Sequence, residues 1–184
     1  MSDIFMSFIH EESFAAESVH DFIEELFGSS VSIFRSSDEN AIYAGDDWMG
    51  RIFTELSGAK VLISMLTPAS VSRPWINFEA GAAWMSKIKV IPVCVGGLKV
   101  AELPKPYSSL QGVEITTHDG AHYLASSIAH HLNIEAPYKP LFGMMQSMAI
   151  LSGRNANEEK QKAVPYNRLV QAMEMYIFEP PPGK

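Results

Sequence analysis

Apolar and polar positions along the chain follow two alternating rhythms. Asp3 to Phe8 (DIFMSF) is a short apolar run with two phenylalanines and an isoleucine, the composition of a buried strand. From Glu12 to Phe27 the rhythm changes. Phe14, Val19, Phe22, Ile23, Leu26 and Phe27 recur at helical spacing among glutamates, and Gly28 provides a stop. Ser30 to Phe34 predicts a second strand, and Ser36 to Asp47, dense in Ser, Asp, Asn and Gly, predicts a long exposed loop. Asp47 is placed to cap a helix that starts at Trp48, carries Ile52, Phe53 and Leu56, and closes at Gly58. Lys60 to Leu66 (KVLISML) then predicts a third, central strand.

The second half continues the alternation. Ser72-Arg73-Pro74-Trp75 offers a capping residue followed by an early proline, the grammar of a helix start, and the helical pattern runs to about Lys87. Val90 to Val95 predicts a fourth strand ending at Gly96-Gly97, Gly112 to Thr117 a weaker fifth, and His122 to Leu132 an amphipathic helix. This order implies an α/β fold: an open, mostly parallel five-stranded sheet with helices on both faces. Beyond Pro137 helices are expected over Leu141–Leu151 and Tyr166–Phe178, a C-terminal helical extension (136–184) packed on the domain formed by residues 1–135. A chain of 184 residues fits one such domain.

Composition adds limits. Hydrophobic residues make up 47% and charged residues 19%, as in ordinary folded proteins, and no charge-free run reaches the length that spans a bilayer. Acidic residues begin at Asp3 and no base precedes Arg35, so a secretion signal is not expected and a cytoplasmic location is. The net charge of −7 argues against nucleic acid, whose binding needs clustered lysine and arginine. Residues 1–59 hold 12 acids and two bases, while the remainder holds nine acids and 12 bases. Such asymmetry favours head-to-tail self-association if folding keeps it on separate faces. Cys94, the single cysteine, lies among Pro92, Val93 and Val95 and reads as a buried strand thiol.

In an open parallel sheet, ligands bind at the carboxyl ends of the strands, so the loops after Phe8, Phe34, Leu66 and Val95 are the ones to search. None carries GxGxxG, GxxxxGK[ST] or GxSxG, and the histidines and cysteine show no metal-ligand spacing, so no metal site is expected. The unusual stretch is Ser72 to Trp84. Trp75 and Glu79 are four apart and share a helical face, and Ala80, Gly81, Ala82 and Ala83 keep the neighbouring surface slim. An apolar setting would raise the pKa of Glu79. The same residues also fit two plainer descriptions: a solvated helical glutamate, or small side chains that let helix and sheet pack closely.

These segments together resemble a bacterial Toll/interleukin-receptor (TIR) domain with its flavodoxin-like fold. The resemblance rests on Asp3-Ile-Phe-Met-Ser-Phe8, Gly45-Asp-Asp-Trp48, Ser70-Val-Ser-Arg-Pro-Trp75 and the spaced Trp75-x-x-x-Glu79, and covers residues 1 to about 135. It implies one of two functions: an NAD+ glycohydrolase or cyclase, or a non-catalytic adaptor that only assembles. On the enzymatic branch, Glu79 would be the catalytic carboxylate. Trp75 would share its pocket, and Phe8 and His10 would be first-strand positions near the ligand, with Ser36 and Trp48 as further binding positions. NAD+ would be the substrate, with no cofactor. The Ser36–Asp47 loop would mediate self-association and border the site, and an effector or sensor protein of a stress or phage-defence system would be a further partner. Some active members have basic residues where this chain has Ile9 and His10. A nucleoside-processing transferase on a related sheet is a third reading.

Overall fold

The computed structural model describes residues 1–36 and 47–136. The expected helices over Leu141–Leu151 and Tyr166–Phe178, and residues 37–46 of the loop expected to mediate self-association, lie outside them.

Five strands form one parallel sheet: β1 (Ile4–Ser7), β2 (Ile33–Arg35), β3 (Val61–Leu66), β4 (Lys89–Cys94) and β5 (Val113–Glu114), in the order β2-β1-β3-β4-β5. Four α-helices connect or follow them: α1 (Ser13–Phe27), α2 (Trp48–Gly58), α3 (Pro74–Met85) and α4 (His118–Leu132). The α/β architecture read from the sequence is therefore present, with strand ends shifted by up to three residues. β5 is the exception, shortened to two residues because only Val93 and Cys94 of β4 pair with it.

The central strands are apolar almost throughout, yet their side chains divide by period two between the two faces. Ile4 and Met6 of β1, Val61, Ile63 and Met65 of β3, and Ile91 and Val93 of β4 pack with the buried residues of α1 and α4. Phe5, Leu62, Leu66 and Cys94 pack on the other face with Ile52 and Leu56 of α2 and Trp75, Ile76, Ala80 and Ala83 of α3. Cys94 is buried, as its neighbours predicted. Among the described residues no helix is long and apolar enough to cross a membrane.

Local chemistry sets the two helix starts that matter here. The Asp47 side chain accepts from the Gly50 amide at 2.9 Å and caps α2 as expected. At α3 the capping position is Arg73 rather than Ser72, with no side-chain cap. Pro74 takes the first turn, where its missing N–H costs nothing, and Asn77 closes the turn by donating its side-chain amide to the Arg73 carbonyl at 2.9 Å. The helix is helped little by Gly81, where an added Cβ would meet nothing within 4 Å. Gly81→Ala is expected to raise stability by about 0.5–1 kcal/mol, measured by urea unfolding; a loss would show that this helix surface is covered.

Candidate active site

A sheet ordered 2-1-3-4-5 reverses direction between β1 and β3, and the crevice outside the carboxyl ends of these strands is where such folds bind ligands. Ser7 and Ser64 are partners in the β1–β3 register at this end. Each is the sole polar residue of its strand, and both are fully buried. α3 lies over them and turns Trp75, Ile76, Glu79, Ala80 and Ala83 inward, the i, i+1, i+4, i+5, i+8 stripe of a helix seated on a sheet. Glu79 therefore lies at 0% exposure, facing the serines. The small residues Ala80 and Ala83 let the helix pack closely, and the solvated-glutamate description is ruled out.

Ser7 Oγ donates to Glu79 Oε2. Glu79 Oε1 is buried with no hydrogen-bond partner among the described residues. Burial pushes the Glu79 carboxyl up to about 8, against opposing hydrogen bonds from Ser7 and the Trp75 side chain. The carboxyl is thus mostly protonated at neutral pH. Tyr107, from the segment after β4, completes the floor: its hydroxyl donates to the Ile76 carbonyl at 3.3 Å and lies 3.2 Å from Ser64 Oγ. Burial, followed by the negative charge of Glu79, pushes the Tyr107 phenol up to about 12. Trp75 stacks on Phe78 with ring centroids 5.5 Å apart, and Phe53 of α2 meets Phe78 edge-on at 5.9 Å.

The positions expected around Glu79 are divided. Trp75 is brought to it. β1 ends at Ser7, so Phe8 and His10 lie beyond the first strand rather than in it. Phe8 is buried with the α1 and α4 residues, on the opposite face of the sheet from Trp75, because it has the same parity as Ile4 and Met6. His10 opens a short 3-10 turn, His10–Glu12. Ser36 is buried just past β2, its amide donating to the Met6 carbonyl at 2.9 Å, and Trp48 is the first residue of α2. Sequence reasoning missed Ser7, Ser64 and Tyr107. A lone serine at matching positions of two otherwise apolar strands was the available signal for the first two.

A model of the TIR domain matches residues 4–127, a span that contains this whole arrangement. The chain belongs to the TIR family. No curated protein matches the chain in sequence. Among solved structures, this TIR chain is similar to a metazoan TIR-STING receptor from C. gigas, at 20% identity and a TM-score of 0.53 over 77% of this chain and 42% of that one. The same receptor in complex with 2',3'-cGAMP matches at 18% identity and a TM-score of 0.53. The TIR domains of the activated Roq1 resistosome, which directly recognises the pathogen effector XopQ, match at 10% identity and a TM-score of 0.44. The chain thus spans under half the length of the receptor, and the likeness to it is one of fold.

Proposed function

We propose that this TIR domain cleaves the bond between nicotinamide and ribose in NAD+. The observation that carries the reading is Glu79: a carboxylate buried beside Trp75 under the ligand-binding end of the sheet, with one oxygen unpartnered among the described residues. One carboxylate suffices for this reaction. The leaving nicotinamide takes the bonding electron pair onto its cationic ring nitrogen and departs neutral, so no general acid is needed, unlike for the sugar leaving group of an ordinary glycosidase. Positive charge develops on the ribose, and a fixed carboxylate stabilises it more than it stabilises the ground state. Water then attacks the ribose carbon and loses a proton, giving ADP-ribose. Attack by an adenine nitrogen or a ribose hydroxyl of the same molecule gives a cyclic isomer, and exclusion of water decides between them.

Full burial supports a further element of the reading, activation by self-assembly, in which contacts between copies open the cover over Glu79 and involve the Ser36–Asp47 segment. A stress or phage-defence role in the cytoplasm, with a sensor or effector partner, fits a fold shared with a receptor.

The test is incubation of purified protein, dilute and concentrated, with NAD+, separating products by chromatography and mass. Nicotinamide release that rises more than linearly with protein concentration is expected; release strictly proportional to protein would remove the assembly step, and no release at any concentration would remove NAD+ cleavage by the chain alone. The second reading, a non-catalytic adaptor, is favoured by the bond that ties Glu79 to Ser7 inside the core. In that case changes in Ser36–Asp47 would abolish partner binding while changes at Glu79 leave it intact.

A further inference from the structure

The crevice is bordered by a second buried carboxylate that neither the motif nor the chemistry above uses. Glu12 closes the 3-10 turn after β1 at 5% exposure, far below what a helix-starting glutamate normally shows. Its Oε1 accepts from Thr67 Oγ1 at 2.6 Å, and its Oε2 lies 3.4 Å from the Ile9 amide, which donates to it. Thr67 is the first residue after β3, so the bond joins the segments leaving the two strands that flank the switch point.

The threonine hydroxyl can point only one way. Its oxygen accepts from the amides of Ala69 at 3.1 Å and Ser70 at 3.2 Å, which occupies its lone pairs and leaves its single proton for Glu12. The Thr67 amide in turn donates to Ser70 Oγ at 2.9 Å, and the Ser70 side chain also bonds the Glu12 carboxylate. Each of these partners donates to Glu12, so its carboxyl oxygens are the acceptors that tie the turn to the loop. The turn and the loop it joins both reach the site: Ile9 and Val71 pack against the cluster that contains Trp75. Arg73, which precedes α3, lies 3.7 Å from Glu11 and adds a second, more exposed tie between the same two segments.

We infer that Glu12 is a positioning residue: through Thr67 it locks the β3–α3 loop across the mouth of the crevice and so fixes the wall against which substrate binds. It acts through its neighbours and takes no part in bond breaking. Loss of the lock should therefore weaken binding of substrate and transition state alike, raising KM and sparing kcat. Its effect on catalysis rests on the NAD+ reading above, whereas the lock itself can be measured without substrate.

The experiment compares the full chain with Glu12→Ala, which removes the acceptor of the Thr67 hydroxyl, with Thr67→Val and with the double variant. The first readout is hydrogen exchange at the amides of Val71 and Arg73, whose bonds to the Thr67 and Ser70 carbonyls no substitution removes directly. Protection at both should fall about tenfold in Glu12→Ala, and the double variant should lose no more than Thr67→Val, which removes the Glu12 contact together with the acceptor of the Ala69 and Ser70 amides. The second readout is NAD+ kinetics, in which KM should rise about tenfold with kcat changed less than about twofold. Native-like protection in either single variant, additive losses in the double, or a kcat loss as large as the KM change would overturn the inference. If Glu12→Ala does not fold, Thr67→Val carries both readouts alone. Absence of NAD+ turnover in the native chain would defeat the NAD+ reading and with it the kinetic role, while the exchange data would still decide whether the lock exists.

Discussion

Glu79→Gln is expected to slow nicotinamide release from NAD+ on the order of a thousandfold while leaving the fold intact. Glutamine matches glutamate in shape, and its carbonyl oxygen can still accept from Ser7 Oγ, so the helix and strand contacts survive. What is lost is the negative charge that offsets the cationic ribose. In a site closed to water that charge is worth far more than at the surface, because nothing else screens the developing cation. Turnover should depend on pH for the same reason. The carboxylate is the working form and the Glu79 carboxyl lies at about 8 in the free protein, so kcat/KM should rise with pH and approach its plateau above about 8. Ser7→Ala removes the largest influence that holds this carboxyl down and should move the rise to higher pH. Rates and circular dichroism measured from pH 6 to 10 check all three statements. Full turnover in Glu79→Gln would sink the catalytic assignment and leave the adaptor reading standing.

How far these residues were visible in the sequence depends on how local their cause is. The strand and helix alternation was legible because each element carries its own period. The inward stripe of α3 was legible too, since Trp75, Glu79 and Ala83 recur at helical spacing, but periodicity does not say whether the inward side meets solvent or sheet. Burial of Glu79 follows only once Ser7 and Ser64 are known to lie side by side, a fact of register between strands 57 residues apart. Phe8 is the opposite case. Alternation along β1, continued by one residue, assigns it to the α1 and α4 face, where it packs. Tyr107 and the Glu12–Thr67 bond join segments with no periodicity of their own, and no local pattern announces them.

Two buried carboxylates in one small domain should make the protein less stable as pH rises, the reverse of the usual carboxylate effect. A carboxyl raised by burial binds its proton more tightly in the folded than in the unfolded chain. Its stabilising protonated form is fully present below the unfolded value of 4.5 and is lost as pH climbs through the folded value. For Glu79 that window runs from 4.5 to about 8, and for Glu12 from 4.5 to about 7. Within its window each group contributes a slope of up to about 1.4 kcal/mol per pH unit, a sizeable share of the roughly 5–15 kcal/mol that hold a domain together. Among the described residues, the other shifted groups do not mask this. Asp3 and Glu114 are lowered by hydrogen bonds, chiefly from Lys60 and the Val100 amide, so they act below their ordinary values, on the acid side of both windows. His131, lowered by partial burial and then by its neighbour His130, favours the fold as pH rises through its own range and opposes the trend from a half-buried site as one group against two. Urea unfolding of the native chain at pH 5, 6, 7 and 8 should therefore show stability falling steeply to pH 7 and more gently to 8. Glu79→Gln should lie below or level with the native chain at pH 5, exceed it at pH 8, and be nearly flat between 7 and 8. Glu12→Gln should halve the slope below pH 7 and leave the slope above it unchanged. Curves that run parallel in all three proteins would mean that neither carboxyl holds its proton in the folded state, and would remove the electrostatic basis for the pH dependence expected of catalysis.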